Sequence, residues 1–499
     1  MSTAIPDAEG RTFLGHPVGL FVLFFTEMWE RFSYYGMRAL LIFYLIWHWG
    51  FSEDNAYIVY GSYTALVFVA PAVGGYLADR YVGASKAVAY GGTLLACGHI
   101  LLAIEGGEGG AGGAGIGWFW AALAFIIVGT GFLKANISVL VGELYAQGDA
   151  RREPGFTIFY VGINSGAALG AIVAGYLGQT IGWRWGFGAA GLAMIAGLGV
   201  FLWGQRLMRG RGAPPEGARL AERRFGISRE YWVYIAGLAG VAGVWWLIQY
   251  QQLVGLSLGI GGVIVVGYIL FTAVVRLPAQ ERNGIFFALV LILLSILFWA
   301  FFEQAGSSLN LYTERHVDRR LFGVEMPASV FQSLTAINIV IFGPVLAWLW
   351  PRLSRVGREP SPLAKFGIGL ILLGAGFLVL VAGAEAAGGG ATPLIFIVLL
   401  YLCHTLGELC LSPTGLAAMT RLAPAQMAGL LMGTWFFASA AGNFTAGLIA
   451  RASGGGAAGG GAEQVIATFA TVGWTAALTG AVVTVFGWRA LWRRPGALR

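Results

Sequence analysis

The sequence predicts an all-α polytopic membrane protein with fourteen transmembrane helices. Three observations carry this expectation. First, the 499 residues are 57% hydrophobic and only 11% charged, with a mean hydropathy of +0.73; such values exclude a soluble globular domain. Second, the apolar residues fall in runs of about 20 or more, the length that crosses the hydrocarbon core of a bilayer. Third, Lys and Arg gather in turns of one parity. With both termini cytoplasmic, 23 of the 31 lie inside, five outside (Arg184, Arg315, Arg319, Arg320 and Arg451) and three in the membrane (Arg31, Arg38 and Lys134). That bias sets the orientation, so the net charge of +7 reports topology and no nucleic-acid partner is expected.

A polar leader (1–17) precedes the first span, which begins near Val18. No charged segment with a short apolar core and a small-residue cleavage site stands before it, so this span is expected to be retained. Spans 1 to 6 make an N-terminal six-helix bundle over 18–208. A Gly/Ala stretch, Gly106 to Gly117, reads as a flexible external loop between spans 3 and 4. Seven arginines and Pro214-Pro215 fall between Arg206 and Arg229, and 209–230 reads as a basic cytoplasmic linker. Two apolar runs within 231–276 lack the charged or paired polar residues of the other spans and read as inserted helices. Six more spans fill 283–489, with a long polar loop from Gln304 to Glu325 after span 7 and a second Gly-rich loop before span 12. A basic cytoplasmic tail covers 490–499. Removing the inserted pair leaves six plus six, the layout of two bundles rocking about a midplane site. The 78 glycines suit helices that approach closely. Cys97, Cys403 and Cys410 fall in apolar runs and read as small core residues; the last two are two helical turns apart, too far for a disulfide.

Span 1 carries the most informative chemistry. Glu27, Glu30 and Arg31 stand at i, i+3 and i+4 and share a helical face, with Arg38 two turns further along and Tyr34 and Tyr35 between. Each unpaired charge at the bilayer centre costs about 2.5–3.5 kcal/mol on insertion scales, so four must pair, face water, or both. One reading is an ion pair joining two helices; the other is a proton-titrating, anion-binding wall of a transport pathway.

Several motifs together give the chain a family resemblance. Glu27-x-x-Glu30-Arg31-Phe32-x-Tyr34-Tyr35 resembles the hallmark of the proton-dependent oligopeptide transporter family of the major facilitator superfamily. Phe13-Leu14-Gly15-His16-Pro17, Phe159-Tyr160-x-x-Ile163-Asn164-x-Gly166, Trp299-x-x-x-Glu303-Gln304 and Glu408-x-x-x-Ser412-Pro413-x-Gly415 also resemble its motifs. Gly75-Tyr76-Leu77-Ala78-Asp79-Arg80 resembles the loop shared by the whole superfamily. The two inserted helices resemble those of bacterial members. The resemblance implies the major facilitator fold in a 6 + 2 + 6 arrangement. It also implies a multi-pass protein of the bacterial inner membrane, importing di- and tripeptides with protons by alternating access. No enzymatic activity, cofactor or metal is implied; the proton is the coupling ion. A monomer in the lipid bilayer is the expected working form.

The residues give that implication a physical sense. Spans 4 and 10 occupy corresponding places in the two halves and bring Lys134 and Glu408. One bundle thus offers the cations Arg31, Arg38 and Lys134, and the other an anion, matching the two ends of a zwitterionic peptide. By resemblance, Tyr34, Tyr35, Asn164, Trp299 and Trp435 line the pocket; the alternative for either Trp is an anchor at the lipid interface. Ser412 belongs to the span-10 motif. Glu27 and Glu30, when ionised, can hold Arg31 and Lys134 and, when protonated, release them to a substrate carboxylate. Glu303 is a further candidate titrating group, its alternative a gate or structural pair. Departures from the family pattern are Gly61, aligned with a span-2 His of animal members, and Phe68, aligned with a pocket Tyr. Thr335 or Asn338 stands where span 8 usually has Asn, and Ala135 where Pro is common. His404, one turn before Glu408, is either a proton-exchanging modulator or a neutral packed histidine. Rival readings are another small anionic or zwitterionic solute, such as nitrate or a peptide-like drug, and a non-transporting sensor. No phosphate-binding Gly-rich loop or His-Glu-x-x-His pair argues for a membrane enzyme.

Overall fold

The computed structural model describes residues 12–105, 115–146, 148–215, 220–453 and 461–493. The leader before residue 12, most of the first Gly-rich stretch, residues 216–219 of the linker, the second Gly-rich stretch (454–460) and the tail from residue 494 lie outside the described residues. The chain is almost wholly helical. Twelve described segments are long and apolar enough to cross a membrane. The helix Val18–Phe43 (α1), which carries four charges, and the Gly- and Ala-rich helix Ala428–Ala452 (α14) bring the long helices to fourteen among the described residues.

The chain gathers into two compact units. The first takes Met1–Tyr44 and Val69–Gln249. It contains α1, the end of α2 (Glu53–Leu77), α3 (Ala84–Glu105), α4 (Ile116–Glu143), α5 (Arg152–Thr180), α6 (Trp183–Gly204) and α7 (Arg229–Ile248). Helix α1 lies against α5 and α6, α3 against α4 and α6, and α7 against α4. The α1–α5 seam depends on small residues. A Cβ on Gly166 would strike the Met28 carbonyl and come within 3.0 Å of Arg31 Cβ, so glycine lets α5 run backbone-close beside the charged stripe. The sequence suggested that the inserted helices lack paired polar groups, but α7 has them at its start. Lys86 Nζ of α3 meets Glu230 Oε2 at 2.6 Å, Tyr234 donates to Glu230 Oε1 at 2.9 Å, and Tyr90 donates to the Tyr234 carbonyl at 2.7 Å. At the other end of α7, Trp245 Nε1 donates to the Gly117 carbonyl at 2.9 Å.

The second unit takes Leu45–Phe68 and Tyr250–Arg499. It holds the first part of α2, then α8 (Gln251–Arg276), α9 (Ala279–Phe302), α10 (Ser308–His316), α11 (Ser333–Arg355), α12 (Pro362–Ala386), α13 (Leu394–Leu422), α14 and α15 (Ala462–Arg493). Helix α12 packs on α13 and α15, α9 on α13 and α14, and α11 on α13. The start of α2 is tied here by Arg315 Nη1 to Glu53 Oε1 at 2.6 Å. It then crosses α14 with backbone near backbone, since a Cβ on Gly61 would lie 3.0 Å from Gly447 Cα. The position aligned with a histidine therefore has no room for one.

The segment from Gln304 begins inside the fold, where the sequence suggested a polar loop. A single 3₁₀ turn, Glu303–Gly306, joins α9 to α10, and Ser308 to Thr313 are buried. Internal bonds explain how so polar a run can be buried. Gln304 Nε2 donates to the carbonyls of Ala300 and Ala446, each at 3.0 Å, while its Oε1 accepts from Ser308 Oγ at 2.6 Å. Thr313 returns its hydroxyl to the Leu309 carbonyl at 2.7 Å. All three cysteines are free, but only Cys410 is a core residue; Cys403 is half-buried and Cys97 is exposed on α3.

Helix α12 starts on a strong signal. Ser361 caps it, accepting from Ala364 N at 3.1 Å, with Pro362 at the first helical position. Just before this cap, Lys365 Nζ lies 2.6 Å from Glu359 Oε1. Partial burial pushes the Glu359 carboxyl up, but the bonds from Lys365 and Ser354 and the charges of Lys365 and Arg421 together outweigh it and hold the group below its ordinary value of 4.5. A depressed carboxyl contributes stability above its unfolded value and loses it as pH falls through the folded one. Glu359→Gln should therefore flatten the fall in thermal midpoint on acidification below about pH 4.5 while leaving the neutral-pH slope unchanged. Separately, Gly61→His should destabilise the protein by about 1–3 kcal/mol through overpacking. Gly199→Ala, where a Cβ meets nothing within 4 Å, should stay within about 0.5 kcal/mol. Thermal unfolding in detergent compares the two.

Candidate functional site

The charged stripe of α1 folds as one buried cluster. Arg31 Nε lies 2.6 Å from Glu27 Oε1, the i,i+4 neighbour, and 2.9 Å from Glu30 Oε2. All three are essentially inaccessible: Glu27 is 3%, Glu30 0% and Arg31 4% exposed. At i, i+3 and i+4 on one helix the three side chains must meet, so the sequence spacing alone accounts for the geometry. Hydrogen bonding is incomplete. Glu27 Oε2 and both oxygens of Glu30 are buried with no hydrogen-bond partner among the described residues. Glu30 is therefore held by charge proximity to Arg31 more than by directed bonds.

Two further cations complete the cluster. Lys134, half-buried on α4, lies within electrostatic reach of Glu27, Glu30, Arg31 and Arg38. Arg38 is buried, its guanidinium 5.8 Å from the centre of the Tyr35 ring, a cation–π distance. Tyr35 packs edge-on against Tyr34 at 5.2 Å. Asn164 is also buried, on α5, with its amide donating to the Tyr160 carbonyl at 2.9 Å. The first unit thus gathers two carboxylates and three cations in one apolar setting.

The second unit carries the remaining candidates. Trp299 is half-buried on α9 and stands edge-on to Phe298 at 5.5 Å and to Phe302 at 5.3 Å. Its indole N–H is buried with no hydrogen-bond partner among the described residues. Glu303, 4% exposed, begins the 3₁₀ turn that follows. Trp435 of α14 is 4% exposed, packs edge-on to Phe366 at 6.2 Å and covers Gly415. It is a core residue of its unit and not a lipid-interface anchor. Glu408 and Ser412 on α13, Thr335 and Asn338 on α11, and Phe68 on α2 are all half-buried. His404 is buried between Phe377 at 4.7 Å and Phe302 at 5.9 Å. That aromatic packing fits the packed-histidine alternative.

The sequence missed the polar network of Gln304, Ser308 and the Ala446 carbonyl, and the Glu53–Arg315 pair at the start of α2. The first lay in a stretch that reads as loop; the second joins residues far apart in the chain, which no local pattern links. Among the described residues no group of three or more His, Cys, Asp or Glu could hold a metal ion.

Removing Arg31 should expose what the cluster neutralises. Arg31→Met should cost about 3–5 kcal/mol, the range for stripping one partner from a buried ion pair. Adding Glu27→Gln and Glu30→Gln to the same chain should recover most of that loss. Equilibrium unfolding in mixed micelles reads both.

The sequence and fold have close counterparts. Residues 85–455 match the model of the POT family. The chain is 36% identical over 479 residues to "Peptide transporter YePEPT" of Yersinia enterocolitica subsp. palearctica, covering 90% of each chain. It is 34% identical over 451 residues to a di-/tripeptide transporter of Lactococcus lactis subsp. lactis, covering 86% of this chain and 88% of that one. The crystal structure of a mutant of peptide transporter POT in complex with alafosfalin superposes with a TM-score of 0.83. Its sequence is 35% identical, with 96% of each chain covered.

Proposed function

The chain belongs to the POT family, a transporter family and not one of enzymes, and from that premise we propose that it imports di- and tripeptides in symport with protons, by alternating access. The observation that carries this reading is the buried cluster of Glu27, Glu30 and Arg31 on α1 with Lys134 on α4. A structural ion pair needs one acid and one base. Here two carboxylates share one arginine, and three carboxylate oxygens lack hydrogen bonds among the described residues. Such an arrangement suits groups that gain and lose a proton during a cycle.

The mechanism follows from competition for cations. With Glu27 and Glu30 ionised, Arg31 and Lys134 are held by protein carboxylates. A proton delivered to Glu30 weakens that hold and leaves a cation to meet a substrate carboxylate. Arg38 and Tyr35 extend the same anion-recognising wall. Glu408 is matched to the peptide ammonium, and Trp299, with its buried unbonded N–H, to the peptide backbone or side chains. In the first unit Tyr34 and Asn164, and in the second Phe68, Thr335, Asn338, Ser412 and Trp435, are the remaining substrate-binding candidates, aromatic and small polar groups that tolerate many side chains. Glu303 is a further candidate for proton coupling, and His404 acts by packing. No cofactor beyond the coupling proton is required. The Di-/tripeptide transporter name of the Lactococcus relative supports the substrate class. We place the protein in the bacterial inner membrane with both termini cytoplasmic, working as a monomer.

Proteoliposomes test the reading. Labelled dialanine should accumulate only with an inward proton gradient, and unlabelled di- and tripeptides should compete while nitrate should not. Glu30→Gln should abolish gradient-driven accumulation while leaving dialanine counterflow within a few-fold of wild type. Accumulation that survives in Glu30→Gln, or competition by nitrate alone, would overturn it.

A further inference from the structure

We propose that the first unit carries a binding site for an anionic phospholipid, in the cleft between the end of α2 and the basic hairpin that leads into α7. The cleft has a volume of about 930 Å³. Arg80 and Tyr81 enter it from the turn after α2, and Arg223, Arg224 and Phe225 from the hairpin. Arg229, Trp232 and Val233 enter it from α7. Four arginines thus line it with one acidic residue, Glu222, whose Oε2 pairs with Arg229 Nη2 at 3.1 Å. The lining keeps three positive charges in excess, which favours an anion over a zwitterion.

Its position argues for a lipid. Helix α7 starts at Arg229 and α2 ends at Leu77, both at the ends of membrane-crossing segments, so the cleft lies at the level of the bilayer surface. Tyr81 and Trp232 are the residue types that sit at that level. Leu77, Val233 and Ala236 make an apolar wall of the cleft. A soluble anion would satisfy the arginines and leave this wall unused; a phospholipid uses both.

The hairpin is built to face a membrane. Its strands pair Arg223 with Ser228 and Arg224 with Ile227, leaving Phe225 and Gly226 as a two-residue turn. Phe225 has φ of 54°, a left-handed conformation uncommon for an aromatic residue, and is 83% exposed. Trp232 Nε1 donates to the Arg224 carbonyl at 3.1 Å and pins the hairpin to α7. The strained turn therefore aims a large apolar ring outward between arginines, a waste in water and an anchor at a lipid interface.

The test uses the full-length protein in phosphatidylcholine nanodiscs titrated with phosphatidylglycerol, with bound lipid counted by native mass spectrometry. Wild type should retain phosphatidylglycerol over phosphatidylcholine. Arg223→Gln with Arg224→Gln should weaken that retention roughly tenfold or more, since each basic residue at an anionic surface is worth about fivefold. Phe225→Ser, which removes no charge, should weaken it a few-fold. Arg355→Gln with Arg358→Gln removes the same charge from the second unit and should weaken retention clearly less than the hairpin pair does, and soluble glycerol phosphate added as competitor should change nothing. Dialanine counterflow shows that each variant is folded. Equal retention in the hairpin variants, equal loss in the Arg355/Arg358 control, or displacement by glycerol phosphate would each overturn the proposal.

Discussion

Charge inside a membrane helix has to be neutralised close by, and the stripe on α1 is where this chain meets that constraint. An uncompensated carboxylate or guanidinium in an apolar setting is costly, so Glu27 and Glu30 are each drawn within 3 Å of Arg31 Nε. One arginine cannot satisfy two carboxylates fully. The remainder is met by Lys134 from α4, which ties the electrostatics of two helices together. The stripe is thus both a structural necessity and a set of groups whose partners can change. In the proposed mechanism that double character is what couples proton to substrate: the same cations that neutralise the protein's acids are those an anionic substrate end would seek.

Small residues serve close approach in each unit. Gly166 lets α5 run beside α1 at the level of Arg31, and Gly61 lets α2 cross α14 at Gly447. In hydrocarbon, helices gain little from burying apolar surface against each other, so backbone proximity and packing carry the association. Several of the polar groups that do enter are satisfied internally. Gln304 uses both ends of its amide to bind α9, α10 and α14 together. Glu230 and Lys86 do the same for α7 and α3.

Much of this was legible in the sequence because membrane helices announce themselves by length and hydropathy, and because an i, i+3, i+4 charge pattern leaves its side chains little choice. The fourteen long helices and the α1 cluster follow from those two facts. What was not legible depended on long-range pairing. The run from Gln304 to His316 is polar by composition and reads as a loop, yet it is largely helical because Ala446, on a distant helix, accepts from Gln304. The reason Gly61 replaces a larger residue lies in Gly447, nearly 400 residues away in the chain. Trp435 reads equally well as a lipid anchor or an inner residue until Phe366 and Gly415 are seen against it. Periodicity reports which face a residue occupies and is silent about what the face meets.

The central claim is that substrate and the α1 carboxylates compete for the same cations, so that binding of one is linked to protonation of the other. Proton uptake on peptide binding measures this directly: purified protein in weakly buffered detergent, saturating dialanine, and a pH-indicator dye. The account predicts that wild type takes up protons when dialanine binds, and that Glu30→Gln binds dialanine with that uptake sharply reduced. Equal proton uptake by the two proteins, or none by wild type across the range where dialanine binds, would contradict it.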